Sequence, residues 1–72
     1  MRIEKVNAAN AAKIDKIACV AVGVTSRTVL NVWHYASIFN SWDLELFMVK
    51  PPASKSTIYK VQKVLQYSGV LR

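Results

Sequence analysis

Gly23, Pro51, Pro52 and Gly69 are the only glycines and prolines in this 72-residue chain. Each stops regular structure for a backbone reason. Glycine enters the left-handed conformation that closes a helix, and proline lacks the amide that a helix interior needs. After each of the first two stops comes a small hydroxyl residue able to cap a new helix: Thr25 or Ser26 after Gly23, and Ser54 after the proline pair. The spacing therefore predicts helices over 10–22, from 25 or 26 to 39, and from 54 to about 67.

Hydrophobic periodicity fills in these segments. Asn7 or Asn10 can cap the first, whose apolar face is Ile14, Ile17, Ala18 and Ala21. The second carries the stripe Val29, Val32, Trp33, Ala36 and Phe39, with Leu30, Tyr35 and Ile38 off it. A helix apolar over that much of its circumference is central or lies at an interface. Asn40 and Ser41 interrupt the pattern. Ser41 is read as the cap of a short helix over 42–49, with Asp43 and Glu45 in its first turn. In the last helix Ile58, Val61, Leu65 and Ser68 face inward, and Lys55, Ser56, Tyr59, Lys60, Gln62, Lys63 and Gln66 face outward. A short first helix around Ile3 and Val6 and a short extended end at Val70 and Leu71 complete the reading. The expected fold is one all-α domain over 1–72, a compact bundle of four or five short helices with room for a C-terminal strand.

The chain is 53% hydrophobic and 19% charged, with a net charge of +6. Residues 50–72 hold Lys50, Lys55, Lys60, Lys63 and Arg72 and no acid, so the basic character belongs to the C-terminal third. Nucleic acid is the first partner such a surface suggests, and an anionic membrane a poorer second. So high an apolar share in so small a domain implies surface left over for an oligomer or a partner. Cys19 is the only cysteine, which precludes an internal disulfide and fits a reducing, cytoplasmic setting. The apolar run 17–24 is too short and too far from Met1 for a signal peptide, and no run approaches the ~18–20 residues of a membrane span.

Two stretches begin alike: "GVTSRTVLNVWHYA" from Gly23 and "ASKSTIYKVQKVLQY" from Ala53. They align at an offset of 29 residues, with Thr28 on Thr57, Val29 on Ile58 and Val32 on Val61. A unit that presents a helix to the major groove needs a small residue where its two helices cross and a glycine in the turn. It then needs an aliphatic, several polar residues on the DNA side, and an aliphatic anchor. Ala18 and Cys19, Gly23, Val24, the run 25–28, and Val29 with Val32 meet this order. Thr25, Ser26, Arg27, Asn31 and His34 then face outward, where Ser and Thr suit phosphate, Arg suits phosphate or guanine, and Asn suits adenine.

Through "GVTSRTV" and the pair Ala18-Cys19, the first stretch resembles the helix-turn-helix of phage Cro-type repressors and of the lac repressor family. The resemblance implies a compact helical DNA-binding domain that acts as a dimer on a palindromic operator. The second stretch resembles the recognition helix of winged helix-turn-helix regulators, which would place Ser54, Lys55, Ser56, Tyr59, Lys60 and Lys63 against DNA. Here Pro51-Pro52 stands in place of the glycine turn and Met48 in place of a small residue.

Nothing in the sequence makes a case for an enzyme. His34 is the only histidine, and without a second ligand at metal spacing it suggests no metal site. Asp43 and Glu45, two apart, do not face one another on a helix. No nucleophile motif, phosphate loop or dinucleotide fingerprint occurs, so neither a cofactor nor a catalytic residue is expected. The expectation is a sequence-specific DNA-binding regulator of the phage or plasmid kind, a homodimer on double-stranded DNA. The rival is a protein-binding regulator of antirepressor type, gripping its partner through Trp33, Phe39, Trp42 and Phe47.

Overall fold

A computed structural model describes residues 2–71. Among them the chain forms helices α1 (Ala8–Ala11), α2 (Lys16–Val22), α3 (Ser26–Phe39) and α4 (Lys55–Tyr67), a 3-10 turn over Leu44–Leu46, and no strand. The all-α expectation holds. Val70 and Leu71 add no extended element: both amides donate to the Leu65 carbonyl, at 2.9 and 3.1 Å, and fold the chain back over the end of α4. Arg72, part of the basic C-terminal charge, lies outside the described residues, as does Met1.

The helix expected over 10–22 is two helices. Asn7 caps α1, its side chain accepting from the Asn10 amide at 2.9 Å while the Asn10 side chain accepts from the Asn7 amide at 2.7 Å. Asn10 is thus a buried member of α1, and its Nδ2 donates to the Lys5 carbonyl at 2.6 Å. Asp15 then takes an extended conformation and opens α2, its Oδ1 accepting from the amides of Ile17 and Ala18 at 2.9 and 3.2 Å. Asn and Asp offer the backbone local partners that compete with a continuous helix, which is why a run of good helix formers breaks here. The break changes the buried face. Ile14, Ala18 and Cys19 point inward, whereas Ile17, 81% exposed, and Ala21 point to solvent. No helix forms around Ile3 and Val6. The Ile3 amide donates to Asn40 Oδ1 at 2.7 Å, and the Glu4 carbonyl accepts from Trp33 Nε1 at 2.8 Å, so this leading segment is tied along α3.

Local chemistry fixes both ends of the long helices. Gly23 closes α2 at φ 81°, and Thr25 caps α3 by accepting from the Thr28 amide at 3.1 Å. Asn40, at φ 50°, closes α3. Ser54 caps α4, accepting from the Thr57 amide at 3.3 Å. Val29, Val32, Trp33 and Ala36 are fully buried on one side of α3, as are Val61, Val64 and Leu65 on one side of α4, where Ile58 is buried beside them. Fully burying a side chain of the Val or Leu kind contributes about 1.5–3 kcal/mol, so these faces hold the domain together. Both α2 and α3 pack on α4. Ser68 lies beside the inner face instead of filling it: its hydroxyl accepts from the Asp15 amide at 2.8 Å and donates to the Val64 carbonyl at 2.8 Å, joining the start of α2 to the end of α4.

The helix expected over 42–49 contracts to the single 3-10 turn. Trp42, Asp43, Leu44, Glu45 and Leu46 alternate apolar with acidic, a period of two that gives a helix no stripe. Asp43 makes no side-chain cap, and Ser41 Oγ accepts only from the Asp43 amide, at 3.0 Å. Leu44 alone of this segment is fully buried.

Candidate nucleic-acid interface

Every residue read as a DNA contact is solvent-exposed: Thr25, Ser26, Arg27, Asn31 and His34 on or before α3, and Lys55, Ser56, Tyr59, Lys60 and Lys63 on α4. Most of them line two different grooves. Arg27, Asn31 and His34 line an open groove of about 750 Å³ whose opposite wall is Asn7, Ala8 and Ala11 and whose end is Pro52. Lys55, Ser56, Tyr59 and Lys60 line a different groove of about 700 Å³, opposite Trp42, Asp43 and Glu45. The alignment of the two stretches describes two capped helices of similar start that border different grooves.

The α3 groove is built from the helix outward. Burial of Val29, Val32, Trp33 and Ala36 fixes its rotation, and the turn of the helix then leaves Ser26, Arg27, Asn31 and His34 on the far side. Thr25 is exposed, but its Oγ1 is occupied as the cap and shares a 2.9 Å hydrogen bond with Thr28 Oγ1. Arg27 supplies a planar fork of donors, Asn31 an amide with both donor and acceptor, and His34 a ring edge-on to Tyr35 at 5.6 Å between centroids. The first turn of a helix also presents backbone amides and the positive end of the dipole, which favour an anion there.

Sequence reasoning missed two neighbours of this surface. Lys16, the first residue of α2, lines a smaller cleft of about 420 Å³ with Ser26 and Leu30, which brings a second cation to the leading turn of α3. Leu30 is half-buried and borders both this cleft and the larger groove. The position of Lys16 at the head of the first helix of the pair was a signal available from the sequence.

On α4, Ser54 is occupied as the cap and shares hydrogen bonds with Ser56 Oγ at 3.2 Å and Thr57 Oγ1 at 3.0 Å. Lys63 Nζ stands 5.5 Å from the centre of the Tyr59 ring, a cation–π contact on the outer stripe.

Of the residues expected at a partner interface, Trp33 is corrected outright. It is fully buried, with its indole hydrogen bonded to Glu4 of the leading segment, and it belongs to the core. Phe39 and Trp42 are half-buried, and Phe39 stacks on Phe47 at 5.6 Å with 13° between the rings. Phe47 is 52% exposed, and its neighbours Leu46 and Val49 are more so.

Cys19 is buried, and burial raises its thiol above the ordinary range, with the charge of Asp15 adding to the effect. A thiol held neutral in a core is a packing group, not a nucleophile. Among the described residues no three His, Cys, Asp or Glu side chains come together as metal ligands, and no helix is long and apolar enough to cross a membrane. Comparison with protein-family models, with curated proteins and with solved structures gives no match for this chain.

Proposed function

We propose that this chain is a DNA-binding regulator that lays the leading turns of α3 in the major groove of double-stranded DNA and acts as a homodimer. One observation carries the reading. α3 is fully buried along Val29, Val32, Trp33 and Ala36, presents Ser26, Arg27, Asn31 and His34 on its free side, and follows α2 after a turn closed by a left-handed glycine. A helix held that firmly from behind offers its outer side chains to base edges without ordering a loop. Arg27 and Asn31 are the side chains suited to guanine and adenine, and Lys16 and Arg27 are the cations placed for phosphate. The remaining positive charge, three of its eight cations on α4, raises the rate of encounter through the long-range field. Two copies of a body 31 × 23 × 19 Å are of the right size to set their α3 helices one duplex turn apart, about 34 Å.

The test is titration onto random-sequence duplex at low and moderate salt. Binding is expected near 50 mM salt and should fall steeply towards 200 mM as counterions return to the phosphates. Arg27→Ala should lower affinity for all sequences and reduce the salt slope by about 1. No binding at the lower salt would end the reading. A second reading, a protein-binding regulator without DNA contact, draws on the exposure of Leu46, Phe47 and Val49, and absence of DNA binding would favour it.

A further inference from the structure

The groove between the 42–45 segment and α4 has no part in the proposed DNA contact, and its construction is specific. Its floor is core, with Leu44 fully buried and Ile58 5% exposed, and its walls are Trp42 and Tyr59. Its two rims carry opposite charge. Asp43 and Glu45 stand on one side, and Lys55 and Lys60 on the other. These are two of the four acids in the chain, set beside an apolar strip on an otherwise basic protein.

The rims decide what fits. A polyanion meets the acidic rim and a polycation the basic one, each with like charge against it. A second copy of this chain meets neither conflict. A two-fold axis running along the groove turns the second copy so that each acidic rim lies over the other's basic rim, and both pairs form at once. Self-complementarity of that kind is what an isologous dimer requires.

We infer that this groove is the homodimer interface, with Asp43 and Glu45 of each copy set against Lys55 and Lys60 of the other across the Trp42–Tyr59 strip. The inference rests on the homodimer part of the proposed function and not on its DNA part. An ordinary interface takes about 800 Å² from each partner, roughly a sixth of the 5027 Å² surface of this chain. Lys55, Ser56, Tyr59 and Lys60, which the sequence assigned to DNA, belong to this interface instead, and Lys63 stays outside it.

Two charge-reversed chains test this. D43K/E45K makes both rims basic, and K55E/K60E makes both acidic. All four side chains are exposed, and circular dichroism with thermal melting checks that each variant folds. Sedimentation equilibrium at sub-millimolar concentration should find the natural chain dimeric. Each variant alone should be weakened at least about tenfold in self-association, and an equimolar mixture of the two should dimerise again. A monomeric natural chain, variants that dimerise undiminished, or a mixture that stays monomeric would each overturn the inference. A dimer that ignores duplex DNA would count only against the DNA reading, and a monomer that binds DNA would count against this inference and the homodimer part of that reading while leaving the DNA contact standing.

Discussion

Gly23 joins α2 to α3 at φ 81°, and a Cβ built on it meets nothing within 4 Å. Gly23→Ala therefore isolates one effect. No side chain is displaced, no cavity opens, and no hydrogen bond is removed, since the Gly23 amide still donates to the Cys19 carbonyl at 3.0 Å. What remains is the cost of placing an L-residue in the left-handed region, roughly 1–2 kcal/mol, with the loss of chain freedom in the unfolded state offsetting part of it. The net destabilisation should be about 1 kcal/mol. A domain of this length has about 4–11 kcal/mol in all, so it stays folded and its melting temperature falls by about 4–8 °C. Asn adopts the left-handed region more readily than Ala, as Asn40 does here at φ 50°, so Gly23→Asn should cost about half as much. Gly69→Ala is the internal control: φ is 76°, there is again nothing within 4 Å, and the loss should be similar. Urea melts of the four chains measure the differences, with an unchanged m-value as the sign that the folded state is the same. Equal or greater stability in Gly23→Ala would refute the argument, because it would mean that residue 23 is not held left-handed. A loss above about 3 kcal/mol would refute it too, because backbone conformation alone cannot supply that much.

Trp33→Phe removes the indole hydrogen bond to Glu4 and part of a fully buried side chain; the expected loss is about 2 kcal/mol by urea melt, with hydrogen exchange rising first in residues 2–6. Cys19 should resist alkylation in the native chain and react freely in guanidinium, since burial holds its thiol neutral. For the same reason its folded-state pKa lies above its unfolded value, so its contribution is intact below about pH 8.5 and is lost as pH rises through the folded pKa. A melting temperature that climbs over that range in Cys19→Ser relative to the natural chain would agree, and parallel pH curves would not. Ser68→Ala leaves the exposed Asp15 amide without its hydroxyl partner and should cost about 1 kcal/mol, read by the same melts.

What could be read from the sequence was what is local. Thr25, Ser54 and Gly23 act within one turn of themselves, and the end of α2 and the starts of α3 and α4 fall where these residues put them. The outward faces of both helices followed from period alone. The split between α1 and α2 had its own local signal in Asp15, but the run of alanines and aliphatics around it looked like one helix. The helix expected over 42–49 rests on Ser41 as a cap and on Asp43 and Glu45 in the first turn, and the alternation of apolar and acidic residues argues against it. Trp33 was misassigned for a different reason. Its stripe position already points inward, but the leading segment that closes over it makes a contact spanning 29 residues, which no local pattern carries. Which helices share a groove depends on how α2 and α3 lean on α4, and no pattern within one helix carries that information.

The leading segment has a last consequence. Arg2, Ile3 and Glu4 share a cleft with Val70 and Leu71, beside Trp33 and Trp42. Residues 2–4 and 70–71 thus lie at nearly the same spot. A circular permutant that seals this spot with a few glycines and opens at the exposed Lys50 would keep every helix intact. Two such bodies strung on one strand could also be held at a chosen spacing without either being pulled open.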